Sequence, residues 1–136
     1  MALGKIIKIA SKHLTLLKIL TLVWAFLIAL LCIIPQEDLP KAGGIPHFDK
    51  FVHFVLYFVL TFLSLFIFWG SKQSRRVISV LIPGIFVFSL LIEIMQGILP
   101  FGRTFSFVDL LANLSGIVAG LLLFHKIKYL LILSQQ

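Results

Sequence analysis

The sequence carries too few charges to make a water-facing surface. Asp, Glu, Lys and Arg are 12% of its 136 residues, where a soluble domain of this size keeps roughly 25%. Hydrophobic residues make up 60% and the mean hydropathy is +1.13, so the solvent that suits this chain is lipid. A single cysteine, Cys32, excludes an internal disulfide and a Cys-rich metal site. The chain has no P-loop, no Rossmann glycine pattern and no H-E-x-x-H zinc motif, which removes the chemistries those motifs announce. It also has no internal repeat, no low-complexity tract and no second domain, so residues 1–136 read as a single membrane domain.

What is present is four long apolar runs, Leu16–Ile34, Phe51–Trp69, Val77–Leu99 and Phe107–Phe124. Crossing a hydrocarbon core takes about 20 residues of helix, and each run is long enough. Pro35 to Pro40 with Gly43 and Gly44, then Gly70 to Arg76, then Pro100 to Thr104 separate them. The expected fold class is therefore all-α, a bundle of four transmembrane helices. Pro83 falls inside the third run and is expected to bend it near its start. The first run has a basic lead-in but is too long for a signal-peptide core, lacks a small-x-small cleavage site, and is expected to be retained. The first 15 residues, with Lys5, Lys8 and Lys12 spaced against Ile6, Ile7 and Ile9, are expected to form a short interfacial helix.

The net charge of +7 does not point to nucleic acid, because the basic residues lie at the ends of the apolar runs, where anionic lipid head groups are. Nine of the twelve Lys and Arg fall in the amino-terminal segment, the middle loop and the tail; Lys41, Lys50 and Arg103 are the other three. The positive-inside rule then puts both termini and the middle loop in the cytoplasm. All five acidic residues, Glu37, Asp38, Asp49, Glu93 and Asp109, fall toward the opposite side. A functional site is expected there.

Three helices present polar stripes at that end. Asp49, His53 and Tyr57 recur every four residues; Ser89, Glu93 and Gln96 follow at four and three; Ser106, Asp109, Asn113, Gly116 and Gly120 follow at three, four, three and four. A charged side chain facing lipid costs roughly 2.5–3.5 kcal/mol on insertion scales, so these groups are expected to turn inward and share one cluster with Lys50 and Arg103. Several have structural explanations. Asp49 suits a helix N-cap, Ser106-x-x-Asp109 a capping motif, Lys50 snorkelling to the head groups, and Gly116-x-x-x-Gly120 close helix packing, within the chain or between copies of it. Glu93 has none, since it lies well inside its helix, where a carboxylate caps nothing.

On these residues the chain resembles the VanZ-like family of small bacterial membrane proteins. The matching signature is Asp49-Lys50-x-x-His53-Phe54-x-x-Tyr57, then Glu93-x-x-Gln96, then Arg103-x5-Asp109-x3-Asn113-x2-Gly116-x3-Gly120. The resemblance implies a bacterial cytoplasmic (inner) membrane location, and an association of some members with low-level resistance to the glycopeptide teicoplanin. It implies no reaction.

The expected function is a cell-envelope protein that binds or shields an anionic lipid or lipid-linked wall-precursor head group, or a glycopeptide, with Asp49, Lys50, Tyr57, Gln96, Arg103 and Asn113 as ligand-binding residues. The alternative is an enzyme on a lipid-linked substrate, with His53, Glu93 and Asp109 as catalytic groups. A recognisable Ser or Cys nucleophile is missing from that reading. A proton-coupled path finds no matching polar residues in the inner halves of the helices. His53, Glu93 and Asp109 carry metal-ligand atoms, but no local spacing selects a metal; no metal or cofactor is expected. Membrane lipids are the expected partners, with a second copy through Gly116 and Gly120.

Overall fold

The structure, a computed structural model, describes residues 13–35, 47–69, 74–100 and 102–134. The described residues form four α-helices: α1 Leu14–Ile33, α2 Phe48–Ile67, α3 Ser74–Ile98 and α4 Phe107–Leu133. All four are long and apolar enough to cross a membrane. A 20-residue helix such as α2 spans about 30 Å, the thickness of the hydrocarbon core. The expected interfacial helix at the amino terminus and the first loop, with Glu37, Asp38 and Lys41, lie outside the described residues.

Each helix starts within three residues of its apolar run. The fourth is the exception at its far end: it continues nine residues beyond Phe124, through His125, Lys126 and Lys128, to Leu133. Those basic residues mark a polar boundary along the helix and not its end. Helix α3 stays helical through Pro83. In a membrane span the backbone groups that Pro frees can be satisfied by neighbouring helices or local adjustment.

The packing centre is the pair α2 and α4, which make the most extensive contact of any two helices. Two glycines allow it. A Cβ on Gly116 would collide with the Phe54 carbonyl oxygen and sit 3.0 Å from the Phe58 nitrogen; one on Gly120 would lie 2.9 Å from the Phe58 carbonyl. The G-x-x-x-G motif is thus used within this chain, backbone against backbone.

Two apolar clusters fill the bundle. Ile28, Tyr57, Leu60, Ile85, Ile92 and Ile117 form the first. Leu65, Trp69 and Phe124 form the second, where Trp69 and Phe124 meet edge to face at 5.3 Å between ring centroids. Helix α1 is the most peripheral of the four. Its Trp24 donates Nε1–H to the Leu56 carbonyl at 2.9 Å and so ties it to α2. Large apolar side chains, Val23, Phe26, Phe51, Val80, Leu91, Leu111 and Leu122 among them, cover the outside of the bundle, as lipid requires.

Candidate functional site

The polar stripes of α2, α3 and α4 converge at one end of the bundle. Helix α2 begins after His47, which takes the N-cap position in the left-handed region with φ 59° and makes no side-chain cap bond. Asp49 therefore stands inside the first turn and is not the cap that its position in sequence suggests. Its carboxylate pairs with the neighbouring Lys50. The same ammonium reaches across to α4 and meets Asp109 Oδ1 at 2.8 Å. Asp109 is placed by the predicted cap: the Ser106 hydroxyl accepts its backbone N–H at 3.2 Å, which starts α4 there and leaves the carboxylate directed at Lys50.

One turn deeper, His53 Nδ1 lies 3.0 Å from Asn113 Oδ1 and 3.5 Å from Glu93 Oε1. The Asn113 amide nitrogen donates to Glu93 Oε1 over a long 3.4 Å. This network assigns the His53 proton to Nδ1, donated to Asn113, because a ring nitrogen facing a carbonyl oxygen must be the donor. Asn113 thus bridges His53 and Glu93. Glu93 and Asn113 are fully buried, at 0% exposure, while the His53 side chain keeps 12%. The backbone of Ser106 lies beside the Glu93 carboxylate, yet Glu93 Oε2 makes no hydrogen bond of good geometry.

Arg103, in the loop between α3 and α4, reaches the other way. Its Nη1 donates to the Leu31 carbonyl at the end of α1, at 2.8 Å, and the guanidinium pairs with no carboxylate among the described residues. The loop is thereby tied to α1.

The sequence-predicted residues therefore separate. Lys50, His53, Glu93, Asp109 and Asn113 form one connected cluster, with Asp49 at its exposed rim. Arg103 belongs to the same end through Leu31. Gln96 is buried on α3, one turn from Glu93. Tyr57 packs inside the apolar cluster beneath the site, its ring 6.4 Å from Phe88. Trp24 was not singled out by the polar-stripe reading; an indole within an aliphatic run was the available signal, because a buried N–H needs an acceptor.

Two carboxylates, Asp49 and Asp109, share one lysine, and the ionisable partner of the third, Glu93, is an imidazole that balances charge only when protonated. His53, Glu93 and Asp109 each place one ligand-type atom so that all lie within 4.8 Å of one another. The arrangement can accept a cation at its centre and offers an anion the guanidinium at its edge.

A family model described as VanZ/LLP1 matches residues 4–132, nearly the whole chain and all of the cluster. The chain belongs to the VanZ/LLP1 family. Among curated proteins, an uncharacterized protein of the fission yeast Schizosaccharomyces pombe is 35% identical over 107 residues, 76% of this chain and 65% of that protein. The chain thus spans under two thirds of that relative. This relative is fungal, so the likeness does not place the chain in a bacterial membrane. No solved structure matches.

Proposed function

We propose that this VanZ/LLP1 protein is a cell-envelope protein that holds the anionic head group of a lipid, or of a lipid-linked wall precursor, at the polar end of its helix bundle. In a bacterial host, shielding such a head group would contribute to tolerance of teicoplanin. The observation that carries the reading is Arg103. A guanidinium offers five N–H donors in a planar fork suited to phosphate. Here one is used on the Leu31 carbonyl and none on a carboxylate among the described residues. Lys50 stands at the same end with its side chain 28% exposed. The nine-to-three distribution of basic residues supports an outward orientation of this end, toward the periplasm or exterior.

Binding is favoured over the enzyme reading because the groups that would serve as base and nucleophile are engaged in other contacts. The His53 ring nitrogen that faces the cluster is occupied by Asn113, and the nearby Ser106 hydroxyl caps α4. Neither is arranged as a base beside a nucleophile.

The test is teicoplanin susceptibility in a sensitive host expressing wild type or Arg103→Ala, with membrane levels matched. A charge-assisted hydrogen bond contributes about 1.5–3 kcal/mol, so loss of the guanidinium weakens head-group affinity roughly 10- to 150-fold. Protection is expected from wild type and not from Arg103→Ala. Equal protection by the two would remove Arg103 from the site and the reading with it.

A further inference from the structure

We propose that His53, Glu93 and Asp109 form a binding site for one divalent first-row transition cation, of the Mn²⁺, Fe²⁺, Co²⁺ or Zn²⁺ kind. The three residues come from three different helices, so no spacing along the sequence reveals them as a ligand set. In space each contributes one ligand atom, all within 4.8 Å of one another. A tetrahedral shell with bonds of about 2.1 Å spaces its ligand atoms about 3.4 Å apart, so side-chain rotations that close the widest separation by up to about 1.4 Å bring the three onto one ion. The 3.5 Å between His53 Nδ1 and Glu93 Oε1 already matches the edge of a tetrahedron built on such bonds, about 3.4 Å.

A second observation points to a missing ligand. Glu93 is fully buried, its Oε2 has no hydrogen-bond partner of good geometry, and no Lys or Arg pairs with it among the described residues. A carboxylate in such a place requires a cation or a proton. Lys50, the nearest ammonium in the network, is already shared between Asp49 and Asp109. An ion at the centre would take His53 as a neutral imidazole bound through the ring nitrogen that now faces Asn113 and Glu93. The Asn113 amide would then turn its nitrogen or oxygen to suit, which its place between the two side chains permits. One imidazole with two carboxylates suits manganese, iron, cobalt or zinc. Calcium and magnesium prefer oxygen alone.

The cation site shares Asp109 with the Lys50 pair but does not depend on a head group, and metal alone is the probe. The full chain, purified in detergent and stripped with chelator, is titrated with Mn²⁺ followed by the loss of free-ion electron paramagnetic resonance, and with Co²⁺ followed by visible absorption. One ion per chain is expected, with at least a roughly tenfold weaker affinity in Glu93→Gln and in His53→Gln. The cobalt spectrum should show nitrogen and oxygen ligation without a thiolate charge-transfer band, which separates this site from binding at Cys32. Excess Mg²⁺ should fail to displace the ion. Should the variants not purify, the melting temperature of wild type answers the same question, rising with saturating Mn²⁺ and falling back with chelator. The proposal is overturned if wild type takes up no ion and shows no such rise, if both variants bind as tightly as wild type, or if Mg²⁺ competes on equal terms.

Discussion

The four glycines of the described helices differ in what an added methyl group would meet, and that gradation makes a quantitative test of the α2–α4 seam. At Gly116 a Cβ meets the Phe54 carbonyl oxygen inside contact distance and the Phe58 nitrogen at 3.0 Å. Both are helix backbone and cannot swing aside. Gly116→Ala therefore has to push α2 from α4, and overpacking of this kind costs about 1–3 kcal/mol, here toward the upper figure. At Gly120 the nearest atoms are the Phe58 carbonyl at 2.9 Å and Thr61 Cβ at 3.1 Å, so Gly120→Ala should cost about 1–2 kcal/mol. At Gly97 the obstacle is Phe105, at 3.1 Å, in the loop before α4, which can yield; a cost under about 1 kcal/mol follows. At Gly84 nothing lies within 4 Å, and Gly84→Ala should be neutral or slightly stabilising through helix propensity. Thermal unfolding in one detergent, followed by circular dichroism, should rank the variants in that order. For a chain of this length about 1 kcal/mol corresponds to roughly 3–5 °C, so Gly116→Ala should melt about 9–15 °C below wild type. If Gly116→Ala melts with wild type and with Gly84→Ala, the helices are not as close as the structure has them. The distances His53–Asn113 and Lys50–Asp109, which depend on the same approach, would then be wrong too.

Two further outcomes are expected. Trp24→Phe keeps the ring in place and removes the hydrogen bond to the Leu56 carbonyl, so stability should fall by about 0.5–1.5 kcal/mol; hydrogen exchange should rise in α1 while α2 and α4 stay protected, and uniform acceleration across all helices would refute that role. Lys50→Met strands the partly buried Asp109, so the double variant Lys50→Met/Asp109→Asn should be more stable than Lys50→Met alone, with a coupling of about 1–3 kcal/mol in a double-mutant cycle; simple additivity would mean the pair contributes nothing.

The spans were legible because lipid imposes a long unbroken apolar run, and four such runs allow little else. Helix ends were less so. The carboxyl end of α4 passes Lys126 and Lys128 because long basic side chains can stay on a helix that leaves the hydrocarbon. In the site, helical spacing correctly gave a face but could not give an environment. Asp49, His53 and Tyr57 share a stripe, yet each step of about one turn moves roughly 5.4 Å along the axis. The first lands at an exposed rim, the second in a polar network, the third in an apolar core. The Arg103 contact was beyond any periodicity argument, since its acceptor is a backbone carbonyl 72 residues away. The joining of His53, Glu93 and Asp109 was legible only as an expectation of shared pairing, because their mutual distances depend on how three helices cross.

The cluster sits directly above contacts that hold the same helices together through apolar packing. Directly beneath, Ile28, Tyr57, Leu60, Ile92 and Ile117 close an apolar core, and Gly116 seats α4 on the backbone of α2 three residues past Asn113. Those contacts already fix the relative positions of the helices. Replacing a buried ionic group by apolar residues of similar volume is often neutral or stabilising by about 1–4 kcal/mol, and a leucine-lined end would suit this bundle on packing grounds. The chain instead keeps a fully buried carboxylate with an unsatisfied oxygen, beside a histidine and an asparagine on two other helices. A polar group held rigidly where it costs stability is what a binding site requires, since a ligand gains most from donors and acceptors that do not have to be ordered when it arrives. On the proposed readings the seam below is the platform and the cluster above is the site, and the glycine series and the metal titration therefore bear on the same geometry from opposite sides.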